Sequence, residues 1–444
     1  LRTPGVLRIA TLVLVALLLL SCAGCWDRRE LGTIDVATMI GVDRIVKDGK
    51  PLVLLSLLSL KTVVGGSMTG GGSVVMPPTL GYVTSAEGET VGDAARNVAL
   101  RSPRVLYLGH VMVIVIGERM AREGIQDVID YGDRSKDIRY RAEVVTCRGS
   151  ALEALEAQPD YESTASTELS RMVRNDPLRL SKVVPADLFE VVYSLMTPGK
   201  DPAMPRLSLL VPPERGSSVR KGPPSGTITL DQQSQVGQRQ GQAGAKENDF
   251  NPLLGVEEGQ HPERKSFMVD GTAVYSGDKL AGWLNEDEGM GAMFITRQAH
   301  GGEIPFAFKS PEKNSSYVFR STSTRVKPVI SQDGITFQVM IKGRGALTED
   351  KNAAINLTRE SDIKAAEQLV DQEVARHCQE AVSKCQSLNA DIFGFGDLIH
   401  KSDPAFWKQI RDRWRDYYPG VKIQVIARFT IENTGVTGEA IKNR

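Results

Sequence analysis

The sequence predicts an α+β protein of more than one domain: a mixed α/β N-terminal region, then an antiparallel-sheet C-terminal domain with a long helix. Three observations predict it. β-prone runs and helical patterns interleave over residues 33–211. Apolar periodicity disappears over 212–264. Past that stretch, hairpin-like strands lead into one uninterrupted helical stripe and a last alternating strand.

Residues 1–24 read as a lipoprotein signal peptide. Arg2 and Arg8 form a basic head, and Ile9 to Leu20 is an apolar run broken by Thr11 alone, too short to span a bilayer. Ala23-Gly24 supply the small residues a signal peptidase needs, and Cys25 supplies the thiol for lipid attachment. Leu19-Leu20-Ser21-Cys22 is an alternative lipobox, so Cys22 is the alternative acceptor. An uncleaved anchor is the other reading of this segment. The first residue is Leu1, which fits a non-standard start codon or a trimmed N-terminus.

From 25 to 211 the chain reads as N-terminal mixed α/β. Ile34 to Val42 and Leu52 to Leu60 are strands. Thr90-Val91-Gly92-Asp93 resembles a capping box and opens a helix with Val91, Ala94, Ala95 and Val98 on its apolar face. Val105 to Ile116 is one β-prone run, Arg119 to Tyr131 a helix, and Ile138 to Cys147 a strand. Helical patterns at 150–157, 163–174 and 185–196 follow, and Leu207 to Val211 is a closing strand.

The Pro-, Gln- and Gly-rich segment 212–264 cannot bury enough apolar surface to offset ordering entropy, and reads as a flexible linker. The run 65–73 reads as a flexible loop.

Residues 265–444 form the C-terminal α+β domain. Ser266 to Tyr275 and Lys279 to Leu284 flank a turn, and Tyr317 to Val326 and Ile335 to Ile341 are further strands. A long helix starts at a cap, Asn356 or Thr358, with Ile363, Ala366, Val370, Val374, Cys378, Ala381, Cys385 and Leu388 on one face. Ser402-Asp403-Pro404 opens a second helix with Trp407, Ile410, Trp414 and Tyr417 on one side. Val421 to Ile431 alternates as a half-buried strand.

Lys+Arg and Asp+Glu both total 54, and no basic stripe along the sequence argues for nucleic acid. Beyond residue 20 no apolar run reaches about 18 residues. Three cysteines, 147, 378 and 385, follow the anchor, an odd number that completes no disulfide framework. Catalytic signals are poor: no phosphate loop, no nucleophile elbow and no zinc-helix histidine pair. His377, Cys378 and Cys385 are metal candidates that read better as core. His110 reads as a turn residue rather than a base. Trp407 and Trp414 read as packing rather than a sugar platform. Glu286, Asp287 and Glu288 are carboxylates read as a solvated polar loop, not a hydrolase pair. No catalytic residue, cofactor or metal is therefore expected.

Five stretches together carry a resemblance. They are Gly24-Cys25-Trp26-Asp27-Arg28-Arg29-Glu30; Gly109-His110 through Gly117-Glu118 with Gly124-Ile125; Arg134 to Arg139; Gly271 to Tyr275 with Lys279 to Leu284; and Asp391-Ile392-Phe393-Gly394-Phe395-Gly396 with Trp407 and Trp414. In that order they resemble the Ger(x)C family, the C-subunit lipoproteins of spore germinant receptors. Ser135 stands where the family commonly has Asp. The resemblance implies a non-enzymatic lipoprotein on the outer face of the cell membrane or spore inner membrane. Its partners would be the membrane-embedded A and B subunits, with neither nucleic acid nor a direct small-molecule ligand expected. The alternative from another class is a solute-binding lipoprotein of a transporter, which predicts two similar lobes around one ligand.

Overall fold

The computed structural model describes residues 31–60, 81–210, 265–332, 334–351 and 355–433, with scattered positions between 5 and 15. Cys22, Cys25, the glycine-rich run 65–73 and the segment 212–264 lie outside the described residues.

A nine-stranded sheet forms the first layer. Its strands are β1 (Ile34–Lys47), β2 (Lys50–Leu60), β3 (Gly81–Gly88), β4 (Val105–Tyr107), β5 (Val113–Gly117), β6 (Glu143–Cys147), β7 (Ala203–Leu210), β8 (Ser266–Ser276) and β9 (Lys279–Leu284). The order is β3-β2-β1-β5-β6-β7-β8-β9, with β4 beside the start of β1. β1, β5, β6 and β7 run parallel, and the antiparallel pairs β2-β3 and β8-β9 extend the two flanks. Every residue of β5 and β6 is buried, the continuous burial of a parallel strand covered on both faces. Ile114, Ile116 and Val144 face one apolar cluster, and Val113, Val115, Val145 and Cys147 face the other.

The covering helices are α1 (Val91–Ala99), α2 (Glu118–Glu123), α3 (Gln126–Arg134), α4 (Ala151–Glu156), α5 (Ala165–Arg179) and α6 (Leu188–Met196). α1 follows its sequence signature: Thr90 accepts from the Asp93 amide, and Val91, Ala94, Ala95 and Val98 are buried. Two expectations need correction. The single helix over 119–131 is broken into α2 and α3 at Gly124, φ +140, where a Cβ would stand 2.5 Å from Asp278. The break lets the Ile125 amide donate to the Asp278 carbonyl at 2.9 Å. The β-run over 105–116 divides into β4 and β5, because the two halves pair with different parts of β1.

Strands β8 and β9, grouped by sequence with the C-terminal part, complete this first sheet. Arg206 on β7 fastens the join: its guanidinium donates to Asp270 Oδ1 at 2.8 Å and to the Asp270 carbonyl at 2.6 Å. Ser208 donates to the same carboxylate.

The second sheet has order β10-β11-β12-β13, from β10 (Gly302–Phe306), β11 (Ser315–Ser331), β12 (Gly334–Asp350) and β13 (Lys422–Asn433). β10, β11 and β12 are antiparallel as expected, but β13 lies parallel to β12. The helical crossover between them permits this; a tight turn would not. One face is covered by α7 (Glu286–Ile295) and α8 (Glu360–Ser387), and the other is open. α9 (Phe395–Ser402), α10 (Pro404–Ile410) and α11 (Trp414–Tyr417) follow α8.

α7 replaces the polar loop expected at 286–288. Asn285 and Glu288 form a full capping box, and the seven residues from Gly289 to Ile295 are buried. Gly289 and Gly291 hid this helix by their poor propensity. Packing requires them: a Cβ on Gly291 would stand 2.1 Å from the His377 carbonyl of α8, and one on Gly289 2.0 Å from the Lys182 carbonyl.

α8 buries the expected stripe from Ala366 to Cys385 and runs about 42 Å. Its cap differs from expectation: Arg359 occupies the N-cap without a side-chain bond. Asn356 instead accepts from the Thr358 amide at 3.0 Å, shaping the turn before the helix. α10 begins as predicted, with Asp403 accepting from the Phe406 amide at 2.9 Å. A 3-10 turn at Arg411–Arg413 then shifts the register. Tyr418, 1% exposed, takes the buried place expected for Tyr417, which is 38% exposed.

Candidate functional site: a buried carboxylate clasp

The two sheets meet where the turn before β7 touches the segment between α8 and α9. Pro198-Gly199-Lys200-Asp201-Pro202 supplies one side, with Gly199 at φ +79. A Cβ there would come within 2.7 Å of Gly396 Cα and 2.6 Å of the Trp407 ring, so two glycine backbones stack beneath an indole.

Asp201 and Asp391 grip each other's backbones. The Asp201 amide donates to the Asp391 carbonyl at 2.9 Å. The Asp391 amide returns the bond to Asp201 Oδ2 at 2.7 Å. Asp201 Oδ1 also accepts from the Gly277 amide at 2.7 Å and the Arg415 guanidinium at 2.8 Å. Asp391 accepts from the Phe395 amide at 3.0 Å, the Gly396 amide at 2.9 Å and the Trp414 indole N–H at 3.0 Å. Arg415 reaches onward to the Asn389 carbonyl at 3.1 Å and to Ser276. The clasp thus joins the β7 turn, the β8-β9 turn, the end of α8 and the α10–α11 region.

Asp391 is 2% exposed. Full burial pushes its carboxyl up to about 7, opposed by the Gly396 and Phe395 amides and reinforced by the neighbouring Asp201 charge. Trp407 and Trp414 stack edge to face, ring centres 5.7 Å apart, at 3% and 5% exposure. Beside the clasp lies a cavity of about 230 Å³, bounded by Lys200, Asp201, Asp391, Arg411 and Arg415.

The chemistry of this arrangement is holding rather than turnover. Each carboxylate oxygen of the pair accepts from a fixed donor, and no nucleophile stands beside a base. Of the sequence candidates, Asp391, Trp407 and Trp414 meet here. The indoles are core, with no open face for a sugar. Cys378 and Cys385 are fully buried in the α8 core, where burial holds both thiols protonated, far above the usual range. The Cys378 thiol donates to the Gly291 carbonyl at 3.5 Å. His377 is buried beside them, its basicity lowered chiefly by burial, with Nε2 at 3.7 Å from Asp287 and 3.8 Å from Glu373. Among the described residues no group of three His, Cys, Asp or Glu is arranged to hold a metal ion. His110 is an exposed turn residue against Tyr107. Glu286 pairs with Lys182, and Glu288 serves as a cap. Cys22 and Cys25 lie outside the described residues.

Asp201 and Arg415 escaped sequence reasoning. Asp201 lies 190 positions from Asp391, and only its Pro-Gly-Lys-Asp-Pro turn marked it. Arg415 looked like any surface arginine.

Comparison with known proteins agrees with this architecture. Residues 27–209 match the family model for the spore germination protein N-terminal domain. Residues 270–435 match that for the spore germination B3/GerAC-like C-terminal region. Spore germination protein KC of Bacillus subtilis (strain 168) is 24% identical over 98% of this chain and 98% of its own length. Spore germination protein B3 of the same organism is 22% identical over 95% of this chain and 97% of its own. The crystal structure of the GerBC protein superposes with a TM-score of 0.50 at 17% identity, covering 92% of this chain and 100% of that one. That likeness supports the two-part α+β fold. With both family models matched in order along the sequence, the chain belongs to the GerAC/GerKC family of spore germination proteins, the non-enzymatic C subunits of germinant receptors.

Proposed function

We propose that this chain is the lipid-anchored C subunit of a nutrient germinant receptor, needed for spore germination and working in complex with the membrane-embedded A and B subunits. The observation that carries the reading is the ordered match of both germination family models over most of the chain. Among the described residues no helix is long and apolar enough to cross a membrane. In this reading Cys25 takes the lipid and holds the chain on the outer face of the cell membrane or spore inner membrane. Cys22 is the alternative acceptor. Two or three acyl chains, at about 0.8 kcal/mol per buried methylene, give stable attachment. We further propose that 212–264 is a linker between the parts 25–211 and 265–444, which are held together where β8 and β9 complete the first sheet. The two parts differ in topology, which disfavours the paired lobes of a transporter's solute-binding protein.

The test is genetic and chemical. Deleting the gene, with no paralogue present, abolishes the response to at least one nutrient germinant; unchanged germination across a nutrient panel sinks the proposal. Cys25→Ala releases the protein from the membrane or blocks its maturation. If that variant keeps its lipid label, Cys22 is the acceptor.

A further inference from the structure

The open face of the second sheet is cationic although the chain has equal numbers of acidic and basic residues. Alternation along β11, β12 and β13 buries Val326, Phe337, Val339, Ile341 and Phe429 and turns their neighbours to solvent. Those neighbours include Arg325, Lys327, Lys342, Arg344, Lys422 and Arg428, all exposed. Two exposed acidic residues lie on these strands: Glu432, taken up by Arg344 at 3.2 Å, and Glu349 near the end of β12, with Lys351 at 3.8 Å. Glu303 faces the same side only at the far edge, on β10. Lys342 and Arg428 are direct cross-strand partners, a like-charge pairing that costs stability. At the centre, Met340 and Ile426 are also registered partners, 41% and 44% exposed.

Edge protection does not account for these charges. Lysines blunt exposed sheet edges, but here they cover interior strands β11 and β12 as well. The outer edge of β13 is already blunted: its Phe429 amide donates to Asp371 at 2.6 Å and its Ile431 amide to Glu367 at 2.9 Å, both on α8. No aromatic ring among the described residues of this face offers a stacking platform for bases.

We propose that this face is a docking surface for an anionic phospholipid bilayer. Cations spread over one open sheet face answer the negative potential of acidic headgroups. The exposed Met340–Ile426 pair sits where a peripheral protein places its shallow apolar contact. The proposal rests on the tethered reading in one respect: a lipid at Cys25 brings the chain to the membrane, and the basic face sets which side of the molecule lies against it. The linear sequence conceals this surface, because its six cations are scattered between Arg325 and Arg428 on three strands, β13 being reached only after the helices that follow β12.

The experiment measures partition of the full chain onto vesicles of phosphatidylcholine alone and onto vesicles with phosphatidylglycerol added. The apolar N-terminal segment contributes to both, so the ratio isolates charge. Each neutralised cation is expected to lower the ratio about fivefold, so Lys327→Gln/Lys342→Gln/Arg428→Gln lowers it about a hundredfold. The preference should also fall with added salt. Far-UV circular dichroism guards against unfolding, and Lys136→Gln/Lys279→Gln, away from this face, leaves the ratio unchanged. An equal ratio for wild type and triple variant overturns the proposal. So does a triple variant that keeps its anionic preference but loses a co-purifying acidic protein from spore membranes. Unchanged neutral-vesicle binding in Cys25→Ala, with the anionic ratio intact, would count against Cys25 as the tether and leave the face standing.

Discussion

Replacing Asp391 with Asn should make the protein less stable in acid yet more stable at neutral pH. In the folded chain the carboxyl sits among three N–H donors, and burial raises it from 3.8 to about 7. The folded state therefore holds the proton more tightly than the unfolded chain. Its stability is full below 3.8, falls through the window from 3.8 to about 7, and is flat above. Three units at about 1.4 kcal/mol each amount to a loss on the order of 4 kcal/mol. The Asn amide can present its oxygen to the Gly396 amide and the Trp414 indole, but its NH2 then faces the Phe395 N–H. One buried donor is orphaned, at about 1–3 kcal/mol and without pH dependence from this site. The two stability curves should cross between about pH 4.5 and 6. Urea unfolding followed by Trp fluorescence at half-unit intervals from pH 4 to 8 measures this. A variant less stable at every pH, with the gap widening toward pH 8, would refute the reasoning. It would mean that the three donors keep Asp391 ionised.

Gly291→Ala should destabilise by about 1–3 kcal/mol or more, since the new methyl meets the His377 carbonyl at 2.1 Å; thermal unfolding reads it. Arg206→Met removes one partner of an ion pair whose side chains are 14% and 15% exposed. A loss of about 3–5 kcal/mol is expected, with hydrogen exchange rising first in β7 and β8. Asp371, pushed up to about 6 mainly by burial, should ionise late. Carboxylate NMR of Asp371 would then show a midpoint well above 3.8 that returns toward it in urea.

Much of this fold could be read from the sequence wherever local signals agree with global packing. Thr90 and Asp93 opened α1, Asp403 and Pro404 opened α10, and the stripe of α8 lay where the spacing put it. Reading failed where tertiary demands overrode local preference. Gly289 and Gly291 look like helix breakers until the α8 backbone is seen against them. A single 3-10 turn exchanged Tyr417 for Tyr418. The direction of β13 depends on the path of the chain through four helices, which no residue pattern encodes. At the clasp, Asp391, Trp407 and Trp414 were visible as a motif. Asp201 and Arg415 were not, because their roles exist only after distant segments meet.

Leu210 at the end of β7 and Ser266 at the start of β8 are registered cross-strand partners. The end of β7 and the start of β8 therefore lie side by side. For a flexible connection between two ends so placed, the closure cost grows by only about 0.6 kcal/mol per doubling of length. Evolution is thus free to vary it without re-solving the sheet. The same geometry means that a chain cut there would not come apart. Two separately made pieces, one ending after β7 and one beginning at β8, should recognise each other and assemble into the native protein, as a key divided lengthwise still turns when its halves are pressed together.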